Sequence, residues 1–228
     1  MNADQALAEI EARAKPGKAA EMAAYHKADR RYLGTSNPEI EALTKDWRTR
    51  LSLDTRLTLA ANLWASNIHE GRIAAARLLT QARIRPDDSA AWDLICDWLP
   101  DLDAWAIADH VCIAAQKRIL ADPARLDVVE SWTSSENVWQ RRAALVATLP
   151  FAKLPNPKAA DLAARDRILD WAADYCSDRN WFIQKAVASW LRDLSKHDTP
   201  RVAAFLAEHG PYLKTFARKE AAQYLPQD

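Results

Sequence analysis

Trp105 and Asp109 are four residues apart in a segment with helical apolar spacing, so their side chains lie on one helical face. An indole would then lie beside a carboxylate. A carboxylate stabilises a developing positive charge, and the face of an indole attracts a cation. The other interpretation is structural, because a helical tryptophan is usually in the core and a helical aspartate usually faces solvent. The pair alone leaves both interpretations open.

Arg142 stands three residues after Trp139, in a segment that we expect to be helical from Glu136 to Thr148. Thr133 and Glu136 have the spacing of a capping box that would open this helix. The planar guanidinium suits a phosphate or a carboxylate, and an arginine before an apolar run also commonly extends to solvent. Arg142 is therefore either a phosphate contact or an ordinary surface or salt-bridged arginine.

A third segment, from Asp178 to Leu194, predicts a helix with two stripes, capped by Ser177 or Asp178. One stripe is cationic, with an aromatic residue at its N-terminal end. Such a face suits a nucleic-acid backbone, and it is also typical of a solvated helix face. The apolar stripe contains Ile183, Val187, Trp190 and Leu194, and the cationic stripe contains Trp181, Lys185, Ala188 and Arg192.

The composition predicts that helices position these residues. The 228 residues include 45 Ala and only 4 Gly, and proline or glycine signals separate amphipathic segments of helical length. The segments pair at a period that fits HEAT-like repeats. We expect an all-α, single-domain, right-handed solenoid with a concave face: helices in residues 1–53, then repeat pairs over 54–228. The predicted pairs are 54–66 with 69–81, 87–98 with 102–120, 124–132 with 136–148, 158–176 with 178–194, and 201–209 with 212–225.

Charge and motifs exclude several classes of function. Lys and Arg total 31, as do Asp and Glu, so the formal net charge of zero argues against a globally basic nucleic-acid coat protein. Glycine-rich phosphate loops are absent, and Cys96, Cys112 and Cys176 are too widely spaced for a zinc or disulfide framework. No segment has the length and apolarity of a membrane span or the pattern of a targeting peptide. We expect a cytoplasmic monomer that contacts no membrane.

Five motifs follow one another along nearly the whole chain. They are Glu21-Met22-Ala23-Ala24-Tyr25-His26-Lys27 with Leu33-Gly34 and Pro38-Glu39, Trp105-x-x-x-Asp109, Glu136-Asn137-x-Trp139-x-x-Arg142-x-Ala144, Phe182-Ile183-Gln184-Lys185-Ala186 with Leu191-Arg192, and Arg218-Lys219-Glu220-Ala221. In these motifs and their order the chain resembles the AlkD-like DNA alkylation repair proteins, bacterial glycosylases built from HEAT-like repeats.

The resemblance implies a catalytic role for Asp109 and Trp105 and a phosphate contact for Arg142. It also implies DNA contacts for Lys185, Ser189, Trp181, Tyr25 and Lys27. The chain departs from the family where a second groove tryptophan is expected: Ser189 stands there, and Trp190 follows one residue later. One residue rotates a helical side chain by about 100°, so Trp190 is expected to pack in the core with Ile183 and Val187.

The function implied is hydrolysis of the N-glycosidic bond of cationic N3- or N7-alkylated purines in double-stranded DNA, without metal or cofactor, in the bacterial cytoplasm near the nucleoid. Two alternatives remain at this stage. One is a catalytically weakened relative that binds branched or damaged DNA without excision. The other is a helical-repeat scaffold that binds proteins, a role that solenoids often serve.

Overall fold

The computed structural model describes residues 1–226, which form helices and turns. Within this range there is no strand, and Arg31 and Ile68 form an isolated bridge. The all-α prediction is confirmed, and each segment of the predicted pairs contains a helix. The helices are α1 (Ala3–Glu11), α2 (Lys18–His26), α3 (Asn37–Arg50), α4 (Leu53–Ala65), α5 (His69–Leu78), α6 (Ser89–Trp98), α7 (Trp105–Ala121), α8 (Leu126–Trp132), α9 (Val138–Ala147), α10 (Leu149–Lys153), α11 (Ala159–Asp174), α12 (Trp181–Ser195), α13 (Thr199–His209) and α14 (Thr215–Ala221).

Internal packing divides the chain into two compact units, Met1–Asp122 and Pro123–Asp228. The division falls where α7 ends and a short 3₁₀ turn at Pro123–Arg125 begins. The single domain, its division at residue 54 and the right-handed solenoid stay predictions. None of the described helices combines the length and apolarity that crossing a bilayer requires.

In the first unit, the buried helix α5 packs against α3, α4 and α7. Glu70, at the start of α5, is fully buried and accepts backbone N–H bonds from Leu33 (2.9 Å), Gly34 (2.7 Å) and Thr35 (3.3 Å). A buried carboxylate needs such donors, and here they fix the loop that leads into α3. Gly34 has φ +93°, and an added Cβ would lie 2.8 Å from the backbone nitrogen of Ala19. Glu70 and Gly34 thus hold α2 close to α5.

In the second unit, α12 is the central helix and contacts α9, α10, α13 and α14. Its apolar stripe is buried as the sequence predicts, and Trp190 has no exposed surface. Gln184 is also buried and bridges two loops: Nε2 donates to the carbonyls of Cys176 (3.0 Å) and Asp178 (2.8 Å), and Oε1 accepts from the Lys214 N–H (2.8 Å). These bonds fix the direction of α12 and the start of α14.

Two helix starts differ from the sequence prediction. Asn137 caps α9 and Asn180 caps α12, each with its side-chain oxygen accepting from the backbone N–H two residues later at 2.9 Å. The predicted Thr133–Glu136 capping box is wrong, because Thr133 is the C-cap of α8. The predicted Ser177 or Asp178 cap is wrong as well, since Asn180 lies directly before the first turn. Asparagine is as good an N-cap as aspartate or serine, so residue type alone did not select the position.

Candidate functional site

Trp105 and Asp109 lie on the first turns of α7 and line one cavity of about 740 Å³ in the first unit. Ala104, in extended conformation, turns the chain into the helix just before Trp105. Both side chains are half-buried, so each presents part of its surface to the cavity. Helix α2, residues 35 and 36, the start of α3 and part of α5 supply the other walls. The structure therefore brings the predicted catalytic pair to one concave site.

Aromatic rings surround the Trp105 indole. Tyr25 meets it edge to face with ring centroids 6.0 Å apart, and His26 lies 5.4 Å away at a tilt of 44°. His26 in turn lies 4.5 Å from His69 and stacks on Tyr32 at 6.0 Å. These contacts hold the rings in place, and Tyr25, which is 69% exposed, lies at the cavity mouth. The cavity wall is thus largely aromatic.

The cavity histidines are neutral at physiological pH. Burial lowers the pKa of His69 to about 3 and that of His110 to about 4, and it also lowers the pKa of His26. Neighbouring cations act in the same direction at His69 and His110, whereas Glu70 opposes the shift at His26. Among residues 1–226, no group of three or more His, Cys, Asp or Glu side chains is arranged to hold a metal ion. These imidazoles therefore act as neutral rings and are poor proton donors.

The charged side chains of the lining are Lys18, Glu21 and Asp109. Lys18 and Glu21 form an ion pair at 2.6 Å, so their charges cancel. Asp109 supplies the other carboxylate of the lining. Aromatic ring faces attract cations, so the walls of this cavity suit a cationic guest.

Lys27 is the predicted site residue of this region that does not line the cavity. It is the C-cap of α2, with φ +57°, and its side chain is exposed. Tyr25, two residues earlier, does line the cavity. The predicted DNA contact of Lys27 remains a prediction about the outer surface of the first unit.

In the second unit, aromatic rings from α9, α12 and α14 pack in a row. Trp139 lies 4.5 Å from Phe182, Phe182 lies 5.1 Å from Trp181, and Trp181 stacks on Phe216 at 5.8 Å. Trp181 is 51% exposed, so it ends the row at the surface. Arg142 lies one turn after Trp139 on α9 and is half-buried.

The predicted cationic stripe of α12 converges on a carboxylate of α14. Lys185 Nζ contacts one oxygen of Glu220 at 2.5 Å, and Arg192 Nη1 contacts the other at 2.5 Å. Ser189 Oγ donates to Glu220 at 3.3 Å. The side chain of Glu220 is only 15% exposed. The stripe therefore forms one network, the Glu220 network, with a net charge of plus one.

The sequence analysis assigned no role to His69, His110 or Glu220. The two histidines belong to different helices, and a lone histidine on a helix is more often in a core than in a site. Glu220 is 35 residues from Lys185 in the chain, so no local spacing marks the contact. The apolar stripe did identify Trp190 as a core residue, and that prediction is confirmed.

Comparison with known proteins identifies the family. The family model described as DNA alkylation repair enzyme matches residues 6–225. No curated protein matches this chain. Among solved structures, the predicted DNA alkylation repair enzyme from Enterococcus faecalis is 22% identical, with a TM-score of 0.76 over 95% of this chain and 98% of that one.

Two structures from Streptococcus mutans share the fold. AlkD2 is 17% identical, with a TM-score of 0.63 over 84% of this chain and 91% of its own. The protein smu.31 is 18% identical, with a TM-score of 0.63 over 83% and 92%. At this identity the likeness shows the fold alone. The family model spans nearly the whole sequence, and the chain therefore belongs to the DNA alkylation repair enzyme family.

Proposed function

We propose that the protein is a DNA glycosylase that hydrolyses the N-glycosidic bond of cationic N3- and N7-alkylated purines in double-stranded DNA. The observation that carries the proposal is the cavity of the first unit, where Asp109 and Trp105 meet neutral aromatic walls. We infer that it acts in the cytoplasm as a monomer and needs neither metal nor cofactor.

The chemistry of the lesion matches the cavity. A purine alkylated on N3 or N7 is already positively charged, so it leaves as a neutral base without a strong general acid. The neutral histidines agree with this requirement, since burial keeps their pKa values far below the pH of the cell. As the bond breaks, positive charge develops on the sugar, and an adjacent carboxylate stabilises that charge and orients the attacking water. We assign this role to Asp109.

Trp105 and Tyr25 would bind the cation by their ring faces. A cation over an indole is stabilised by about 0.5 to 2 kcal/mol, depending on how far water is excluded. Because Tyr25 and His26 contact the Trp105 ring, the indole is held in one orientation before substrate arrives. We therefore assign Trp105 to lesion binding at the reacting centre and Tyr25 to the cavity mouth.

Arg142, Lys185, Ser189, Trp181 and Lys27 are proposed as backbone contacts. Such contacts set the register of DNA and carry no sequence information. For Arg142→Ala we expect weaker binding to all duplexes and a salt slope lower by about one unit. An unchanged slope would assign Arg142 to a structural role.

A second candidate is a relative that binds damaged DNA but excises slowly or not at all. The Glu220 network favours it, because Ser189 stands where the resemblance implies an aromatic side chain and is hydrogen-bonded to a carboxylate. Trp190, the nearest indole in sequence, is buried in the core. The loss of an aromatic wall would lower rate or narrow substrate range while leaving backbone contacts intact.

The experiment that separates the two candidates uses pure protein and methylated duplex DNA. We expect free 3-methyladenine and 7-methylguanine in the supernatant, quantified by chromatography, with no added metal. Binding to the same DNA without release of either base would support the second candidate. If the protein neither binds this DNA nor releases a base, both candidates are contradicted and a protein-binding scaffold is favoured.

A further inference from the structure

A depression of about 610 Å³ lies in the first unit where α3 and α5 end, away from the catalytic cavity. Its lining residues are Lys45, Arg48, Thr49, Thr80 and Gln81. Arg48 is about 11 residues beyond Asn37, which lines the catalytic cavity at the start of α3. At 1.5 Å per residue the two sites are roughly 16 Å apart along the helix. The depression is therefore a separate site.

Arg48 lines this depression and Arg56 lies behind Gln81, and neither forms an ion pair with a carboxylate of residues 1–226. Arg48 Nη1 donates to the carbonyl of Arg77 (3.2 Å) and to Thr80 Oγ1 (2.8 Å), which fixes the plane of its guanidinium. Arg56 is 8% exposed, donates to Gln81 Oε1 at 2.6 Å, and has a buried Nε with no hydrogen-bond partner. Burying a charge without an opposite charge is costly, so this arrangement is unusual.

The side chains around the depression carry more positive than negative charge. Glu41 is the carboxylate beside the depression, and it pairs with Arg77 at 3.1 Å and Lys45 at 3.2 Å. Lys45, Arg48, Arg56 and Arg77 thus bring four positive charges to a region with one carboxylate. Burial is the main cause that lowers the pKa of Arg48; the charges of Arg56 and Arg77 lower it further, and the charge of Glu41 opposes the shift.

Two other buried arginines have the carboxylate partner that Arg48 and Arg56 lack. Arg118 donates to the carbonyls of Gln81 and Ala82, much as Arg48 does to Arg77, and it also pairs with Asp88 at 2.7 Å. In the second unit, Arg165 donates to the carbonyls of Phe151 and Leu154 and pairs with Asp198 at 3.5 Å. In both cases an aspartate supplies the negative charge.

We propose that the depression binds a phosphate group, held by Arg48 and Lys45, with Arg56 behind Gln81 as a further positive charge. The planar fork of an arginine matches phosphate geometry, and Nη1 of Arg48 is already fixed by its own bonds. The phosphate would take the place that Asp88 and Asp198 occupy beside the other two arginines. The group is either a phosphodiester of DNA or a free phosphate ester, and the same chemistry serves both.

The first test measures thermal unfolding of the full chain in phosphate and in chloride at equal ionic strength. A ligand that binds the folded state raises Tm, and we expect phosphate to raise it by about 2–4 °C. Arg48→Gln should abolish this rise. Arg50→Gln is the matched control, because Arg50 lies on the same helix, is exposed and pairs with Asp46. The rise should persist in that control.

Gln81→Glu is the complementary variant, since it places a carboxylate beside Arg56 in the position of the amide oxygen. We expect a higher Tm than wild type without phosphate and no further rise when phosphate is added. A lower Tm with an unchanged phosphate effect would overturn the proposal. This outcome does not depend on whether Arg48→Gln folds well.

Binding to undamaged duplex DNA at several salt concentrations distinguishes a phosphodiester of DNA from a free phosphate ester as the ligand. If DNA supplies the phosphate, Arg48→Gln lowers the salt slope by about one unit and Arg50→Gln does not. If inorganic phosphate raises Tm while the slope is unchanged, the site takes a free phosphate ester. No phosphate effect on wild type together with an unchanged slope overturns the site. None of these measurements involves base release, so failure here is distinguishable from failure of the proposed glycosylase function.

Discussion

The cavity of the first unit and the Glu220 network of the second each contain a carboxylate among other charged side chains. In the cavity, Asp109 lies in the wall beside Trp105, and Lys18 and Glu21 of the same lining form an ion pair. In the network, the Glu220 carboxylate contacts Lys185 and Arg192. A carboxylate in a cavity wall can stabilise a cation that binds in the cavity, whereas a carboxylate held between two cations of its own chain stabilises the fold. The same residue types therefore serve different roles, and the tertiary partner decides which.

Asp109→Asn is the variant with the largest expected effect, and it tests the role of the Asp109 carboxylate. A neutral amide cannot compensate a developing sugar cation, so we expect excision to fall by about 10²–10³-fold with folding and DNA affinity nearly unchanged. Glu21→Gln is the matched control, because Glu21 lines the same cavity but is paired with Lys18. Single-turnover base release measures both. Equal losses in the two variants would contradict a specific role for Asp109.

Trp190→Ala tests the assignment of the α12 tryptophans. Removing a fully buried indole costs about 3–5 kcal/mol of unfolding free energy. Trp181→Ala, which removes a half-exposed indole from the same helix, should cost much less. Urea unfolding gives both values. If Trp190→Ala abolished excision while the unfolding free energy stayed intact, Trp190 would belong to the site and not to the core.

His69 and His110 of the cavity predict a pH-dependent stability. The folded pKa values of His69 and His110 are about 3 and about 4, below the ordinary value of 6.5. At pH values between the folded and the unfolded pKa of each histidine, the unfolded chain binds a proton that the folded chain does not. Stability contributed by these histidines is therefore present above pH 6.5 and is lost as pH falls toward 4, by up to about 1.4 kcal/mol per pH unit for each histidine.

Urea unfolding from pH 7.5 down to pH 4.5, on wild type and His69→Asn, measures this effect. The variant should lose stability less steeply over the same range, because one of the two contributing imidazoles is gone. Parallel profiles for the two proteins would show that His69 is protonated normally in the folded state, and the neutral cavity would then be wrong.

Glu220→Gln has the smallest expected effect of these variants, and it tests the role of the Glu220 carboxylate in the second unit. Removing the carboxylate releases Lys185, while Arg192 keeps its contact with Asp193, so we expect tighter DNA binding at low salt and a salt slope steeper by about one unit. Glu208→Gln, on the exposed face of α13, removes the same charge without releasing Lys185. Fluorescence anisotropy with undamaged duplex measures both. Identical changes in the two variants would mean that only net charge matters.

Local pattern predicted the helices and the burial of Trp190, because both depend on the spacing of apolar residues within one helix. It also placed Trp105 and Asp109 on one face, since four residues make about one helical turn. It failed at the caps of α9 and α12, where asparagine competed with threonine, serine and aspartate of similar capping strength. It could not predict that Glu220 pairs with the cationic stripe or that His69 lines the cavity. The contacts of Glu220 with Lys185 and Arg192 span 35 and 28 positions, and His69 and Trp105 belong to different helices.

We propose that the cavity excises bases that already carry positive charge, since its histidines are neutral and Asp109 supplies a carboxylate. Single-turnover rates on two matched duplexes test it most directly, one containing 7-methylguanine and the other the neutral base hypoxanthine. We predict release of 7-methylguanine and no detectable release of hypoxanthine, which would need a proton donor to leave. Release of hypoxanthine at a comparable rate, or release of neither base, would contradict the account.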